Sequence, residues 1–181
     1  MLIYGSLLSP RIPHSLPTEG AFYASPIYSK GRLLVVDDEP AARTALGELL
    51  RSEGFVVHLA ADGYKALGAL ETFRPDIILT DLKMPLMDGL SLIQEVRQRE
   101  PELPCVVMTA FASIETAIDA MKKGAYDYLT KPLNFDAVEM IITRAMEHIL
   151  LRRELEELRT NGTHPKEHGI IGHSDSLNQM M

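Results

Sequence analysis

A chain of 181 residues, 46% hydrophobic and 24% charged, carries enough apolar mass for one full core with flanking segments, but not for two large domains. Its net charge of -7 argues against a built-in nucleic-acid surface, which would gather Lys and Arg on one face, and no apolar run is long enough to cross a bilayer. The single cysteine, Cys105, lies in the run Cys105-Val106-Val107-Met108, which predicts a small buried thiol in a reducing, cytoplasmic setting.

Residues 1–31 are rich in Pro and Ser (Pro10, Pro13, Pro17, Pro26) and show no sustained period, so they are expected to form a disordered extension. The Met1 to Leu8 stretch lacks the basic start and long apolar centre of a leader. From Arg32 onward, strand-like apolar runs alternate with stretches of helical period, the pattern of a parallel sheet covered on both faces.

Five such units follow one another. A strand Leu33 to Val36 leads to a first helix with Pro40 near its start, Gly54 past its end, and Ala42, Ala45, Leu46 and Leu49 on one face. Asp62 caps a second helix that turns Ala66, Leu70 and Phe73 inward, and a third follows Asp88-Gly89 with Leu92, Ile93 and Val96. A fourth, short and amphipathic, starts at Ser113, shows Ile114, Ala117, Ile118 and Met121 at helical spacing, and stops at Gly124.

Leu33 to Val36, Ile77 to Thr80 and Cys105 to Met108 are continuously apolar and belong in the middle of the sheet. The mixed stretches Val56 to Leu59 and Tyr126 to Leu129 belong at its edges. The expected fold class is therefore α/β, a doubly wound, flavodoxin-like, five-stranded parallel sheet of order 2-1-3-4-5, with ligands at the carboxyl ends of the strands around the first and third.

The last helix begins near Asp136 and has no clear stop before Asn161-Gly162. Val138, Ile141, Ile142 and Ala145 fit its packing on the sheet, whereas from His148 the apolar positions move to Leu151, Leu155 and Leu158, a heptad-like spacing that predicts a second partner. The segment Thr163 to His168 reads as a linker.

Three acids close two of the central strands: Asp37 and Asp38 after the first, Asp81 after the third. Carboxylates about 4 Å apart repel by about 1 kcal/mol per pair in water and by more when partly buried, so such a trio calls for a dication. Hard oxygen ligands suit Mg²⁺, which points to phosphoryl chemistry. Each acid has a plainer reading, since Asp at a strand-to-helix turn caps helices and forms Asx-turns. Thr109 and Lys131 close two further strands and add a hydroxyl and an ammonium. Singly these are a strand-end hydroxyl and a solvated charge; together with the acids they make a phosphoryl cradle. The Lys131-Pro132 bond is a candidate cis peptide that would aim the ammonium inward.

Val35-Val36-Asp37-Asp38-Glu39, Asp81-Leu82-Lys83-Met84-Pro85 with Met87-Asp88-Gly89, Met108-Thr109-Ala110 and Tyr128-Leu129-Thr130-Lys131-Pro132 resemble, in order, the motifs of the receiver domain of bacterial two-component response regulators, over about Arg32 to Leu150. The resemblance implies that Asp81 accepts a phosphoryl group from a sensor histidine kinase. It implies that Asp37, Asp38, Asp81 and the backbone carbonyl of Lys83 hold Mg²⁺, that Thr109 and Tyr128 form a switch pair, and that Lys131 pairs with the phosphate. Without the other motifs Tyr128 reads as an edge-strand aromatic.

A second resemblance rests on Ile170-Ile171-Gly172-His173-Ser174 with Leu177 and Met180, which are similar to the opening of the ATPase domain of NtrC-type activators of sigma-54 polymerase. The expected organisation is then an extension at 1–31, a receiver at 32–150, a helical dimerisation linker and loop at 151–168, and the start of an AAA+ domain at 169–181. The sequence contains no G-x-x-x-x-G-K-[ST] run. The expected role is a phosphorylation switch rather than an enzyme, one that controls a downstream ATPase domain. It dimerises through the 136–158 helix or through the fourth helix and last strand, with no nucleic-acid or membrane contact in this chain. The competing enzyme reading, a Mg²⁺-dependent aspartyl-phosphate phosphohydrolase, suffers from the absence of a D-x-D pattern. A flavin module suffers from the acidic pocket and the lack of a Gly- or Ser-rich loop after the first strand.

Overall fold

A computed structural model describes residues 29–110 and 113–161. Most of the predicted 1–31 extension, the loop after Gly162 and the predicted 169–181 ATPase start lie outside the described residues. Five strands, β1 (Arg32–Val36), β2 (Val56–Ala60), β3 (Ile77–Asp81), β4 (Cys105–Thr109) and β5 (Asp127–Thr130), form one sheet of order β2-β1-β3-β4-β5. All neighbouring pairs are parallel.

The register places Val36 beside Thr80, Asp81 beside Met108, and Thr109 beside Thr130. The carboxyl ends of β1, β3, β4 and β5 therefore finish in one row. Every residue of β3 and β4 is buried, as are the last four of β1, whereas β2 and β5 mix buried and half-exposed positions. That contrast puts the apolar runs in the middle and the mixed ones at the edges, as their composition predicts. Cys105 is fully buried, and burial pushes its thiol pKa up to about 12.

The helices are α1 (Pro40–Ser52), α2 (Gly63–Phe73), α3 (Gly89–Arg99), α4 (Ile114–Lys122) and α5 (Phe135–Asn161). Their starts follow local chemistry. Asp62, Asp88 and Ser113 accept hydrogen bonds from the backbone N–H groups of Lys65, Ser91 and Thr116, at 2.8, 2.7 and 3.1 Å. Gly54 (φ 92°) and Gly124 (φ 96°) follow α1 and α4 in the left-handed region that ends helices cheaply. α2, α3 and the first part of α5 bury the faces read from their spacing, with Ala66, Leu70, Leu92, Ile93, Val96, Val138, Ile141, Ile142 and Ala145 all in the core.

α1 departs from expectation. It buries Leu46, Gly47 and Leu50, while Ala45 and Leu49 face solvent. The reason is Gly47: a Cβ there would come 2.7 Å from Leu59 Cδ2, so α1 presses its smallest residue onto β2 and rotates the Ala42-Ala45-Leu49 stripe outward. α4 also turns its apolar stripe out, burying Ala120 and exposing Ile114, Ile118 and Met121.

The chain divides into two compact units, the first ending at Met146 and the second beginning at Glu147. The described part of the second is helical, with Leu150, Leu151, Leu155 and Leu158 exposed. No helix among the described residues is long and apolar enough to cross a membrane.

Candidate functional site at the carboxyl ends of the strands

Asp37 leaves β1 almost fully buried, and its position is fixed on three sides. Its backbone N–H donates to the Ala60 carbonyl (3.2 Å), its Oδ1 accepts from Glu39 N–H (2.9 Å), and its carbonyl accepts from the Arg43 guanidinium. Asp81, the last residue of β3, is buried too, and its Oδ2 accepts from the Lys83 N–H at 2.8 Å. The next turn is pinned by Gly89, whose N–H donates to the Leu82 carbonyl at 2.9 Å. A Cβ at Gly89 would sit 2.2 Å from the Asp81 carbonyl oxygen, so only glycine permits α3 to start this close to β3.

Lys131 joins the two acids. The peptide bond from Lys131 to Pro132 is cis, and the Lys131 N–H donates to the Thr109 carbonyl at 2.7 Å. Its ammonium donates to Asp37 Oδ2 at 2.8 Å and to Asp81 Oδ1. Burial alone would lower the Lys131 pKa, but hydrogen bonds to Asp37 and Asp81 and the charges of both outweigh it and hold the group above the ordinary lysine value. A cation thus sits between two desolvated carboxylates whose mutual repulsion it offsets.

Asp38, the third acid of the expected trio, is exposed, and the described residues contain no group of three or more Asp, Glu, His or Cys side chains gathered closely enough to grip a metal ion. The structure brings Asp37, Asp81 and Lys131 together and leaves Asp38 at their solvent edge. The Asp37 and Asp81 donors are hard oxygens already serving a cation, a set that fits Mg²⁺.

Thr109 ends β4 with its side chain buried. Tyr128 lies opposite Val107 in the β4–β5 ladder, which puts it on the same sheet face as Thr109. Its ring is partly buried against the core, and its hydroxyl lies 3.1 Å from Thr116 Oγ1 on α4.

Sequence reasoning missed Arg43, Thr116 and the outward face of α1. Ser113-x-x-Thr116 could have been read as a capping pair, whereas nothing local announces that Arg43 reaches the Asp37 carbonyl. Next to Lys131 the turned-out stripe forms an open cavity of about 320 Å³, lined by Asp37, Ala42, Ala45, Leu46, Leu49, Lys131, Pro132 and Leu133. A larger cavity of about 750 Å³, lined by Leu70, Glu71, Thr72, Arg74, Pro75, Glu100 and Leu103, lies at the amino ends of β3 and β4, away from these groups.

Comparison with known proteins agrees with this geometry. The family model described as "Response regulator receiver domain" matches residues 33–143. The chain is 38% identical over 127 residues to "Regulatory protein AtoC" of Escherichia coli (strain K12), covering 70% of this chain and 28% of that protein. It is 35% identical over 133 residues to "DNA-binding transcriptional regulator NtrC" of Salmonella typhimurium, covering 74% and 28%. Among solved structures, NtrX from Brucella abortus in complex with ADP superimposes with a TM-score of 0.67 at 36% identity, over 74% of this chain and 31% of that one. The chain spans less than a third of the length of the two curated relatives. It belongs to the response regulator receiver domain family, and its relatives are of the NtrC type.

Proposed function

We propose that this receiver is a phosphorylation switch in which Asp81 accepts a phosphoryl group from a sensor histidine kinase. The observation that carries the reading is the buried Asp81 carboxylate held beside Asp37 by one lysine ammonium. An Asp81 oxygen forms the new P–O bond as the P–N bond of the donor histidine breaks, and the bonding pair stays on the ring nitrogen. Asp37, Asp38, Asp81 and the Lys83 carbonyl are the groups that would hold Mg²⁺, which when bound neutralises charge on the phosphoryl oxygens. Lys131 then gives up its bond to Asp81 and pairs with the phosphate.

The added charge draws in the Thr109 hydroxyl, and Tyr128, on the same sheet face, turns toward the space Thr109 leaves. The apolar α1 stripe beside Lys131-Pro132-Leu133 supports kinase docking there, since a partner covering it also reaches Asp81. Exposed Ile114, Ile118 and Met121 on α4, and Leu151, Leu155 and Leu158 on α5, are two apolar stripes suited to a second copy of the chain. The likeness to AtoC and NtrC supports the wider assignment: a cytoplasmic protein with an extension at 1–31, a receiver at 32–150, a dimerising linker at 151–168, and an ATPase domain starting at 169–181 that activates sigma-54-dependent transcription.

Incubation with Mg²⁺ and acetyl phosphate tests this reading. Intact-mass analysis is expected to show one added phosphoryl group on the wild type and none on Asp81→Asn; an unchanged adduct on the variant removes Asp81 from the role. Steady phosphate release from an external ester would favour the phosphohydrolase instead.

A further inference from the structure

α1 begins without the usual devices. Glu39 at its N-cap makes no side-chain cap, the first turn carries no acid, and Pro40 follows at once. The helix is tied to the strand before it by Arg43, at the end of that first turn. The Arg43 N–H donates to the Glu39 carbonyl at 3.0 Å, and its half-buried side chain reaches back to donate from the guanidinium to the Asp37 carbonyl.

Asp37 is thereby held at every polar atom. Its N–H donates to the Ala60 carbonyl (3.2 Å), Oδ1 accepts from Glu39 N–H (2.9 Å), Oδ2 accepts from the Lys131 ammonium (2.8 Å), and its carbonyl accepts from Arg43. Asp38, next in the chain, is exposed, so its direction is set by the backbone on either side of it. A peptide unit is planar. A guanidinium on the Asp37 carbonyl therefore fixes the plane of the Asp37–Asp38 bond, and the Asp37 carboxylate on the Glu39 N–H fixes the chain beyond. The bond from Arg43 goes to a backbone oxygen, which leaves the Asp37 carboxylate to Glu39 and Lys131.

We propose that Arg43 is a positioning residue for the metal-holding turn: by carrying the Asp37 carbonyl from α1, it fixes the backbone that presents Asp37 and Asp38, so that Mg²⁺ meets a turn already in place. The proposal rests on the metal reading above, in which these two acids serve with Asp81 and the Lys83 carbonyl. Arg43 acts through the turn and not on the ion. The other end of α1 supplies a control, because Arg51 donates at 2.9 Å to the Val57 carbonyl on β2, the same kind of contact made at the far end of the helix.

Mg²⁺ titration of the full chain, followed by amide NMR shifts at 37–39 and 81–83, reads the affinity, and urea unfolding reads the stability of the same variants. Arg43→Met is expected to weaken Mg²⁺ binding about tenfold, the lower end of what an outer-shell partner contributes. Arg43→Lys, with an ammonium in place of the planar fork, is expected to regain part of the loss. Arg51→Met is expected to leave the affinity within about twofold, whatever it costs in stability. In metal-free buffer, Arg43→Met is expected to raise exchange of the Glu39 amide roughly two- to tenfold, the range that loss of one hydrogen bond allows, and Arg51→Met to leave it unchanged. Unchanged Mg²⁺ affinity in Arg43→Met overturns the proposal, as does an equal loss in Arg51→Met. Tighter binding overturns it too, because it marks a cation that merely repelled the ion. A wild type that takes up no Mg²⁺ overturns the metal reading, and the Glu39 amide then decides separately whether Arg43 holds the turn.

Discussion

α3 seats Leu92, Ile93 and Val96 with no exposed area, whereas α4, one strand further along the same sheet, seats Ala120 and turns three large apolar side chains to solvent. Burial of each large side chain of α3 stabilises by about 1.5–3 kcal/mol, while the hydrogen bonds that hold α4 contribute about 1 kcal/mol each. One helix therefore opens only with the whole domain, and its neighbour can open locally. The difference separates a helix seated in the core and pressed against the Asp81 strand end from one that keeps its large apolar side chains at the surface.

The largest expected effect tests that contrast directly. Ile93→Ala is expected to cost about 2–5 kcal/mol in urea unfolding, and Ile118→Ala to change stability by no more than about 0.5 kcal/mol. Similar losses for both would mean that α4 is seated as firmly as α3.

A middle-sized effect concerns the acids themselves. In metal-free buffer near neutral pH, Lys131→Met is expected to lose about 1–3 kcal/mol, because it leaves two buried carboxylates without their shared donor. The sign of the pH dependence follows from the raised Lys131 pKa: the folded chain holds this proton more tightly than the unfolded one. The contribution is complete below the ordinary lysine value and is lost as pH rises through the higher folded value. The gap between wild type and variant, measured by denaturant unfolding, should narrow in strong alkali; a gap that widens there would assign the effect to packing.

The smallest effect sharpens the comparison without perturbing the fold. Cys105 belongs to the same buried cluster as α3, and burial lifts its pKa to about 12, so the thiolate is scarce at neutral pH. Alkylation should proceed only as fast as global unfolding permits. Labelling of the folded chain in the absence of denaturant would show that the α3 side also opens locally.

Much of this was legible in the sequence because central parallel strands must be apolar throughout and end where polarity begins. Leu33 to Val36, Ile77 to Thr80 and Cys105 to Met108 are the three central strands, and Asp37, Asp81 and Thr109, which close those runs, stand at neighbouring carboxyl ends. The spacing rule failed on α1, where Ala42, Ala45 and Leu49 have the right period but Gly47 permits the closer approach to Leu59. Periodicity identifies a stripe without saying which way it faces, and a small residue on the other side can win. Asp37 and Asp38 close the same apolar run, but consecutive residues point apart at a strand end, so one is buried and the other exposed, a difference the sequence does not announce. Arg97 on Gly124 joins residues 27 apart, a contact no local pattern encodes.

The missing side chain at position 89 has a mechanical outcome. With 2.2 Å between an imagined Cβ and the Asp81 carbonyl, the β3 terminus lies tight against the first turn of the helix that follows it. A side chain there would push the first turn of α3 off the strand that carries Asp81, so a hydrogen atom at one position sets how closely the helix backs that acid.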